Sequence, residues 1–274
     1  MTDHMETATT RRNTAADPTR PRALITGASA GLGREYAKQL ALDGYDLVLA
    51  ARGREALEAC ADELERHYGI VVQVQVVDLA TQEGIDDLID VIDRERIDVL
   101  VNNAGFGLKT SLMDTDPEQL IANDMVMLRA VTLLSRAAAR HMRDRGRGGI
   151  VTVSSLAALG AYGVYSAVKS AALLVTEALS SELIDTPVTV TAVLPGFVKT
   201  EFHDRMRVRR AGPEWLWLDA EHVVSESLRD ARRGRVVSVP STRYKAIYAI
   251  GQVVPRGLVR SLSGGFGVRR RKRS

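Results

Sequence analysis

Tyr165 and Lys169 stand four residues apart in the stretch SSLAALGAYGVYSAVK, residues 154–169. On a helix, the two side chains share one face and can meet at one site. A lysine ammonium stabilises a neighbouring phenolate and lowers the pKa of tyrosine, which is about 10 in isolation. The pair is therefore a candidate general acid and base for a carbonyl or alcohol oxygen. The alternative is a helix of small residues that carries both side chains by coincidence.

A glycine-rich turn near the start of the chain is a candidate pyrophosphate site. In LITGASAGLG, Gly27, Gly31 and Gly33 follow the spacing Gly-x3-Gly-x-Gly. Gly27 permits a sharp turn, Gly31 lets the backbone approach a phosphate, and Gly33 lets the next helix pack closely on the sheet. The free N–H groups and the dipole at the N-terminus of that helix favour an anion. Because the motif follows a strand and begins a helix, it predicts a dinucleotide site.

The end of the second predicted strand indicates which dinucleotide is bound. A carboxylate at this point would bind the ribose 2′-hydroxyl and repel a 2′-phosphate. The sequence LVLAARGREAL instead has Ala51 there, followed by Arg52 and Arg54. Since a guanidinium suits a phosphate monoester, we expect Arg52 to favour NADP (NADPH) over NAD. The alternative is that Arg52 is a solvated loop charge.

Seven short apolar runs occur along the chain, at residues 22–26, 45–50, 70–77, 97–101, 149–154, 187–193 and 235–239. They alternate with helical patterns near 32–43, 53–67, 81–95, 117–145, 161–185 and 219–233. Such alternation is typical of βαβ units, and the nearly continuous apolar character of the early runs indicates strands buried on both faces. We therefore predict an α/β fold with about seven parallel strands and helices on both faces of the sheet.

Together these motifs resemble those of the short-chain dehydrogenase/reductase (SDR) family. The resemblance spans residues 21–240 and rests on five motifs in the family's order, which are the glycine turn, Asp78-Leu79, NNAG at Asn102 to Gly105, Tyr165-x3-Lys169 and PGFVKT from Pro195 to Thr200. It implies a Rossmann-like doubly wound fold, and hydride transfer between nicotinamide and a carbonyl or alcohol. The catalytic residues that it implies are Ser155, Tyr165 and Lys169. The cofactor site that it implies comprises Thr26, Gly27, Ser29, Ala30, Gly31, Leu32, Gly33, Arg52, Asp78, Leu79, Asn103, Ala104, Gly105, Tyr165, Lys169, Pro195, Gly196, Val198 and Thr200.

Two features depart from the pattern of the family. Its serine usually lies further from the tyrosine than Ser155, which precedes Tyr165 by ten residues. The family also has an asparagine in the helix after NNAG, where it joins the lysine to a water relay. Our alignment places Met127 there. Either Asn123, one turn earlier on the same face, anchors the water instead, or the relay is broken. Tyr162 is the alternative tyrosine, but no lysine follows it at i+4.

The composition and the N-terminus of the chain bear on compartment and metal content. The 274 residues carry a net charge of +3 and one cysteine, Cys60, which excludes an internal disulfide framework and fits a reducing compartment. The five histidines show no ligand spacing, so we expect no metal site. Residues 1–20 are polar and lack the apolar region of a signal peptide, so we expect a disordered tail before the catalytic domain at 21–240.

Residues 241–274 are expected to form a C-terminal helix and a basic tail that ends in VRRRKRS. This segment is either a solvated tail after a surface helix or an amphipathic contact with an anionic membrane surface. No apolar run is long enough to span a bilayer. Since the dense basic cluster is confined to the tail, we expect no nucleic-acid binding.

We therefore predict a cytoplasmic NADP-dependent oxidoreductase that acts on a small-molecule carbonyl or alcohol. The alternative is a catalytically weak NADP-binding sensor or scaffold, for which Met127 and the short serine loop are the support. Residues 201–218 lie where the family has its substrate lid. There Trp215, Leu216 and Trp217 either line an apolar pocket for a lipid-like substrate or pack as a surface corner. The resemblance also implies a homo-oligomer with a helical dimer face.

Overall fold

The computed structural model describes residues 19–108, 110–200 and 213–263. Its seven strands form one parallel sheet in the order β3-β2-β1-β4-β5-β6-β7. The strands are β1 (Arg22–Thr26), β2 (Asp46–Ala51), β3 (Val72–Val76), β4 (Val99–Asn102), β5 (Gly148–Val153), β6 (Val188–Val193) and β7 (Val237–Ser238). This sheet, with helices on both faces, confirms the predicted Rossmann-like doubly wound fold.

The α-helices connect the strands and extend beyond the last one. They are α1 (Gly31–Leu42), α2 (Arg54–Tyr68), α3 (Gln82–Arg94), α4 (Pro117–Asp124), α5 (Ala130–Arg145), α6 (Val164–Glu182), α7 (Ala220–Arg232), α8 (Thr242–Val253) and α9 (Arg256–Ser263). A π-helix joins α4 to α5 at Met125–Arg129. Two 3₁₀-helices lie at Leu156–Leu159 and Glu214–Leu216.

Alternate residues of the central strands face two separate hydrophobic layers. Leu24 and Val48 face the layer built with α3, α5 and α6. Ile25 and Leu49 face the layer built with α1, α2 and α7. These side chains are fully buried, as expected for strands covered on both faces. The site must therefore lie at an edge of the sheet, where the strands end.

Three helical boundaries differ from the sequence-based prediction for local reasons. The helix predicted at 117–145 is interrupted by the π-helix, which spans only five residues and is too short to alter the apolar pattern recognisably. The helix predicted at 161–185 begins at Val164, because Gly163 has a φ of +81°, outside the helical region. The C-terminal segment forms two helices instead of one, because Pro255 prevents α8 from continuing.

Candidate active site

The carboxyl ends of β1 and β4 are joined by side-chain hydrogen bonds. The Thr26 hydroxyl donates to the Val101 oxygen at 3.3 Å and accepts the backbone N–H groups of Asn103 and Ala104, each at 3.0 Å. The Asn103 amide donates to the oxygens of Thr26 and Gly27 at 3.0 and 3.2 Å. Both side chains thus shape the turn from inside. Their direct contact with the cofactor stays a prediction.

These bonds lie where the sheet changes direction. The chain runs outward from β1 through β2 to β3 and then returns to β4 on the other side of β1. In open α/β sheets this switch point leaves a crevice at the carboxyl ends of the strands, where ligands bind.

The glycine turn after β1 has a backbone that fits a pyrophosphate. Gly27 and Gly31 have φ angles of +67° and +55°, which favour glycine. A Cβ on Gly33 would lie 2.1 Å from the Gly27 oxygen, so only glycine lets α1 approach this closely. No side chain caps α1, whose N-cap residue is Ala30. The first N–H groups of the helix are therefore available to an anion. The turn residues that remain partly exposed include Ser29, Ala30, Gly31 and Leu32.

The adenosine side of the predicted site lies at the ends of β2 and β3. Arg52 is exposed there, and no hydrogen bond or ion pair holds its side chain within the described parts of the chain. Arg54 instead pairs with Glu58 at 3.3 Å. One Asp78 oxygen accepts the backbone N–H two residues later at 3.0 Å, and Leu79 is buried. Of the two arginines, Arg52 is thus the one whose charge has no partner among the described residues.

The structure brings Ser155 to Tyr165 in spite of the short loop between them. Their side chains share a hydrogen bond. The Ser155 oxygen also accepts the Ala157 N–H at 3.1 Å and so caps the 3₁₀-helix that compacts this loop. Ser154 faces inward, where its hydroxyl donates to the Lys169 oxygen at 2.8 Å. Ser155 is therefore the serine that faces the tyrosine.

Lys169 is buried beside Tyr165, on the face of α6 that the spacing predicted. Its ammonium donates to the Val153 oxygen at 2.7 Å and lies 5.9 Å from the centre of the Tyr165 ring. Burial lowers the pKa of Lys169 to about 8, so the group is mostly protonated at pH 7.

Burial also acts on the phenol of Tyr165, in the opposite direction to our expectation. It raises the pKa of Tyr165 to about 12, and the hydrogen bond with Ser155 offsets this only in part. The expected lowering by Lys169 does not offset this effect of burial, and the Lys169 ammonium donates to the Val153 oxygen instead. Tyr165 is therefore a neutral phenol at pH 7, which makes it a proton donor rather than a phenolate base.

Asn123, rather than Met127, is the buried polar residue of the helix after NNAG. Its amide nitrogen donates to the Phe106 oxygen at 2.9 Å and contacts the Met127 sulfur at 3.3 Å. Its carbonyl oxygen is buried and has no hydrogen-bond partner in the part of the chain that the structure describes. Met127 is a core side chain that packs beside Gly105. The buried Asn123 oxygen is suited to bind a water.

The loop after β6 touches both the glycine turn and the serine loop. The Pro195 oxygen accepts the Leu156 N–H at 3.1 Å. Thr200 lies beside Gly31, where an added Cβ would be 3.4 Å from the threonine. Val198 is buried and forms a β-bridge with the backbone of Leu218. This loop therefore completes one wall of the crevice.

Only the end of the predicted lid falls within the described residues, because 201–212 lie outside them. Trp217 is buried, with its ring 5.2 Å from that of Phe197. Trp215 is 60% exposed, and Leu216 is partly buried. The two tryptophans therefore differ, since Trp217 packs inward and Trp215 lies on the surface.

Other groups singled out in the sequence lie away from this arrangement. Tyr162 is 46% exposed, and its N–H donates to the Ser166 hydroxyl. Cys60 lies on the buried face of α2, and burial raises the pKa of its thiol. Among the described residues, no group of three His, Cys, Asp or Glu side chains could hold a metal ion. No helix in the same residues is long and apolar enough to cross a membrane.

Comparison with curated proteins gives relatives with named activities. The chain is 32% identical over 203 residues to gluconate 5-dehydrogenase of Gluconobacter oxydans, covering 71% of this chain and 78% of the relative. It is 34% identical over 186 residues to an NADP-dependent 3-hydroxy acid dehydrogenase of Schizosaccharomyces pombe, covering 65% and 72%.

Solved structures share almost the whole fold. A short-chain dehydrogenase from Sphingobium yanoikuyae in complex with NADPH matches with a TM-score of 0.78 and 28% identity, over 93% of this chain and 98% of the other. A bulky-bulky ketone specific alcohol dehydrogenase from Comamonas testosteroni matches with a TM-score of 0.74 and 26% identity, over 93% and 97%.

A family model described as short chain dehydrogenase matches residues 21–211, which is more than half of the chain. The match agrees with the motifs that carried the resemblance and with the sheet order. The chain is an oxidoreductase that belongs to the short-chain dehydrogenase/reductase family.

Proposed function

We propose that the protein is an NADP-dependent reductase or dehydrogenase that interconverts a ketone and an alcohol, with Tyr165 as the general acid and base. The hydrogen bond between Ser155 and Tyr165 beside Lys169 is the observation that carries this proposal. The alternative of a weak sensor or scaffold loses its two supports, because Ser155 contacts Tyr165 and Asn123 supplies the polar group that Met127 lacks.

The residues of this chain would have separate roles in cofactor binding and proton transfer. The uncapped start of α1 would hold the pyrophosphate, and Lys169 would hold the nicotinamide ribose, as the resemblance implies. NADPH supplies a hydride when bound. Tyr165 would give its proton to the carbonyl oxygen of the substrate, and Ser155 would donate a hydrogen bond to the same oxygen. A tyrosine that is neutral at pH 7 carries the proton that reduction of the carbonyl requires.

The substrate class is a bulky, largely apolar ketone or the corresponding alcohol. One solved structure that matches this chain is the Comamonas testosteroni enzyme, which is named as specific for bulky-bulky ketones. The match covers 93% of this chain and therefore includes at least part of the C-terminal helices. The exposed Phe197 lies on the loop beside the crevice with its ring 5.2 Å from that of the buried Trp217, which adds apolar surface there. A panel of ketones of increasing bulk, followed by NADPH oxidation, tests this assignment.

A homo-oligomer is supported by apolar side chains on the outer faces of two helices. Leu174 on α6 and Ile121 on α4 are 62% and 63% exposed. Exposed apolar side chains of this kind are used in interfaces between subunits. Light scattering of the full chain measures the assembly, and a mass of about one chain would refute it.

Replacing Tyr165 tests the proton donor. Tyr165→Phe keeps the ring but removes the hydroxyl, so turnover should fall about 100-fold or more while NADPH still binds. Tyr162→Phe is the matched control, because Tyr162 is exposed and lies three residues earlier. Steady-state kinetics measure turnover, and fluorescence titration measures NADPH binding. Near-normal turnover of Tyr165→Phe would exclude the mechanism.

Replacing Arg52 tests the choice of cofactor. Arg52→Asp substitutes a carboxylate that repels a 2′-phosphate, and charge-assisted bonds of this type contribute about 1.5–3 kcal/mol. We expect the ratio of kcat/KM for NADPH to that for NADH to fall about tenfold or more. Arg54→Asp is the control, since Arg54 is already paired with Glu58. An unchanged ratio in Arg52→Asp would remove this residue from the site.

The pair Asn123 and Met127 tests which residue supports proton resupply. Asn123→Ala removes the buried carbonyl oxygen. If a water bound to this oxygen passes protons to Lys169, turnover should fall about tenfold, because the loss of a buried hydrogen-bond partner costs about 1–3 kcal/mol. Met127→Leu changes only core packing and should leave turnover within about twofold. Solvent isotope effects on turnover distinguish slowed proton transfer from a general loss of structure. Equal effects of both substitutions would argue against a relay through Asn123.

Contact with an anionic membrane surface is supported by the C-terminal segment. Residues 241–274 contain nine Lys or Arg and no Asp or Glu, and Ile250 and Val253 on α8 are 61% and 79% exposed. Basic charge beside exposed apolar residues favours binding to anionic lipid. The full chain should sediment with anionic vesicles and, after deletion of 268–274, remain in the supernatant. Failure of the intact chain to sediment would refute the membrane contact.

A further inference from the structure

The start of α8 is attached to two neighbouring elements by residues on either side of Tyr244. The Arg243 guanidinium donates to the Trp215 backbone oxygen and lies 5.7 Å from the ring of the same residue. The Lys245 ammonium pairs with the buried carboxylate of Glu226 on α7. Tyr244, between them, is therefore held in a fixed orientation toward the loop after β6.

Tyr244 packs directly against that loop. Its ring lies over Gly196, where an added Cβ would be only 2.0 Å from a ring carbon. Its hydroxyl donates to the Leu216 oxygen at 2.6 Å and accepts the Phe197 N–H at 3.2 Å. Burial raises the pKa of Tyr244, so the hydroxyl keeps the proton that it donates. One side chain thus uses its ring and its hydroxyl to hold two separate stretches of backbone.

These two stretches are also joined to each other. The Leu218 N–H donates to the Phe197 oxygen, and the Lys199 N–H donates to the Leu218 oxygen, each at 2.8 Å. The Tyr244 hydroxyl continues this short ladder, because it links the Phe197 N–H to the Leu216 oxygen where no direct backbone bond is made. Without the hydroxyl, the link between the Phe197 N–H and the Leu216 oxygen would be lost.

The loop held in this way reaches the cofactor side of the crevice. Thr200 lies against Gly31 of the glycine turn, and the Pro195 oxygen binds the Leu156 N–H of the serine loop. We propose that Tyr244 is a positioning residue that fixes the loop 195–200 for binding of the nicotinamide cofactor. The proposal rests on the proposed function, because it assumes that this loop borders the cofactor.

The first test compares Tyr244→Phe with the wild type. The substitution keeps the ring over Gly196 and removes both hydrogen bonds of the hydroxyl, each of which has a modest net effect in proteins. We expect the dissociation constant and the KM for NADPH to rise about fivefold, with kcat at saturating NADPH within about twofold. Tyr248→Phe, one turn later on the same helix, is the control and should bind NADPH as the wild type does. An unchanged dissociation constant in Tyr244→Phe overturns the proposal.

The second test needs no cofactor or substrate. Hydrogen exchange of the full chain should show faster exchange of the Phe197 amide in Tyr244→Phe, with the Lys199 amide as the internal reference. If Tyr244→Phe fails to fold, hydrogen exchange of the wild type still tests the proposal. A wild-type Phe197 amide that exchanges as fast as a free amide would overturn it. A wild type that binds NADPH but reduces no ketone would refute the proposed function alone, since both the dissociation constants and the exchange rates remain measurable.

Discussion

The hydrogen bonds between the ends of β1 and β4 are the constraint on which the rest of the site depends. Thr26 and Asn103 exchange side-chain bonds with each other's backbone across the point where the sheet changes direction. They fix the glycine turn on one side and NNAG on the other, so that the start of α1 opens into the crevice. Loss of one partner would leave buried donors or acceptors unpaired, at about 1–3 kcal/mol each.

Burial sets the protonation states of the catalytic pair more strongly than their mutual contact does. Desolvation disfavours both the Lys169 ammonium and the Tyr165 phenolate, so the pKa of the lysine falls to about 8 and that of the tyrosine rises to about 12. At pH 7 the pair is therefore an ammonium beside a neutral phenol. This state is prepared to give a proton to a substrate oxygen, which is the chemistry that carbonyl reduction requires.

The sequence allowed the prediction of features that depend on local pattern. The apolar runs located all seven strands to within a few residues, because buried parallel strands need nearly continuous apolar sequence. The spacing of Tyr165 and Lys169 predicted a shared face, but the directions of their pKa shifts depend on burial, which spacing does not reveal. Asn123 was expected as a substitute one turn before Met127, but its hydrogen bond to the Phe106 oxygen, 17 residues away, leaves no local signal. Tyr244 was not singled out, since its hydroxyl joins residues 28 and 47 positions away and leaves no local signal.

The central claim is that Tyr165 protonates a carbonyl oxygen while NADPH, bound at the glycine turn, reduces its carbon. The most direct measurement uses NADPH that carries deuterium at the transferred position of the nicotinamide, together with a bulky aryl ketone. Mass spectrometry of the product should show one deuterium on the carbinol carbon with the wild type and almost none with Tyr165→Phe. A protein that binds the labelled NADPH but transfers no deuterium to any ketone of the panel would contradict the account.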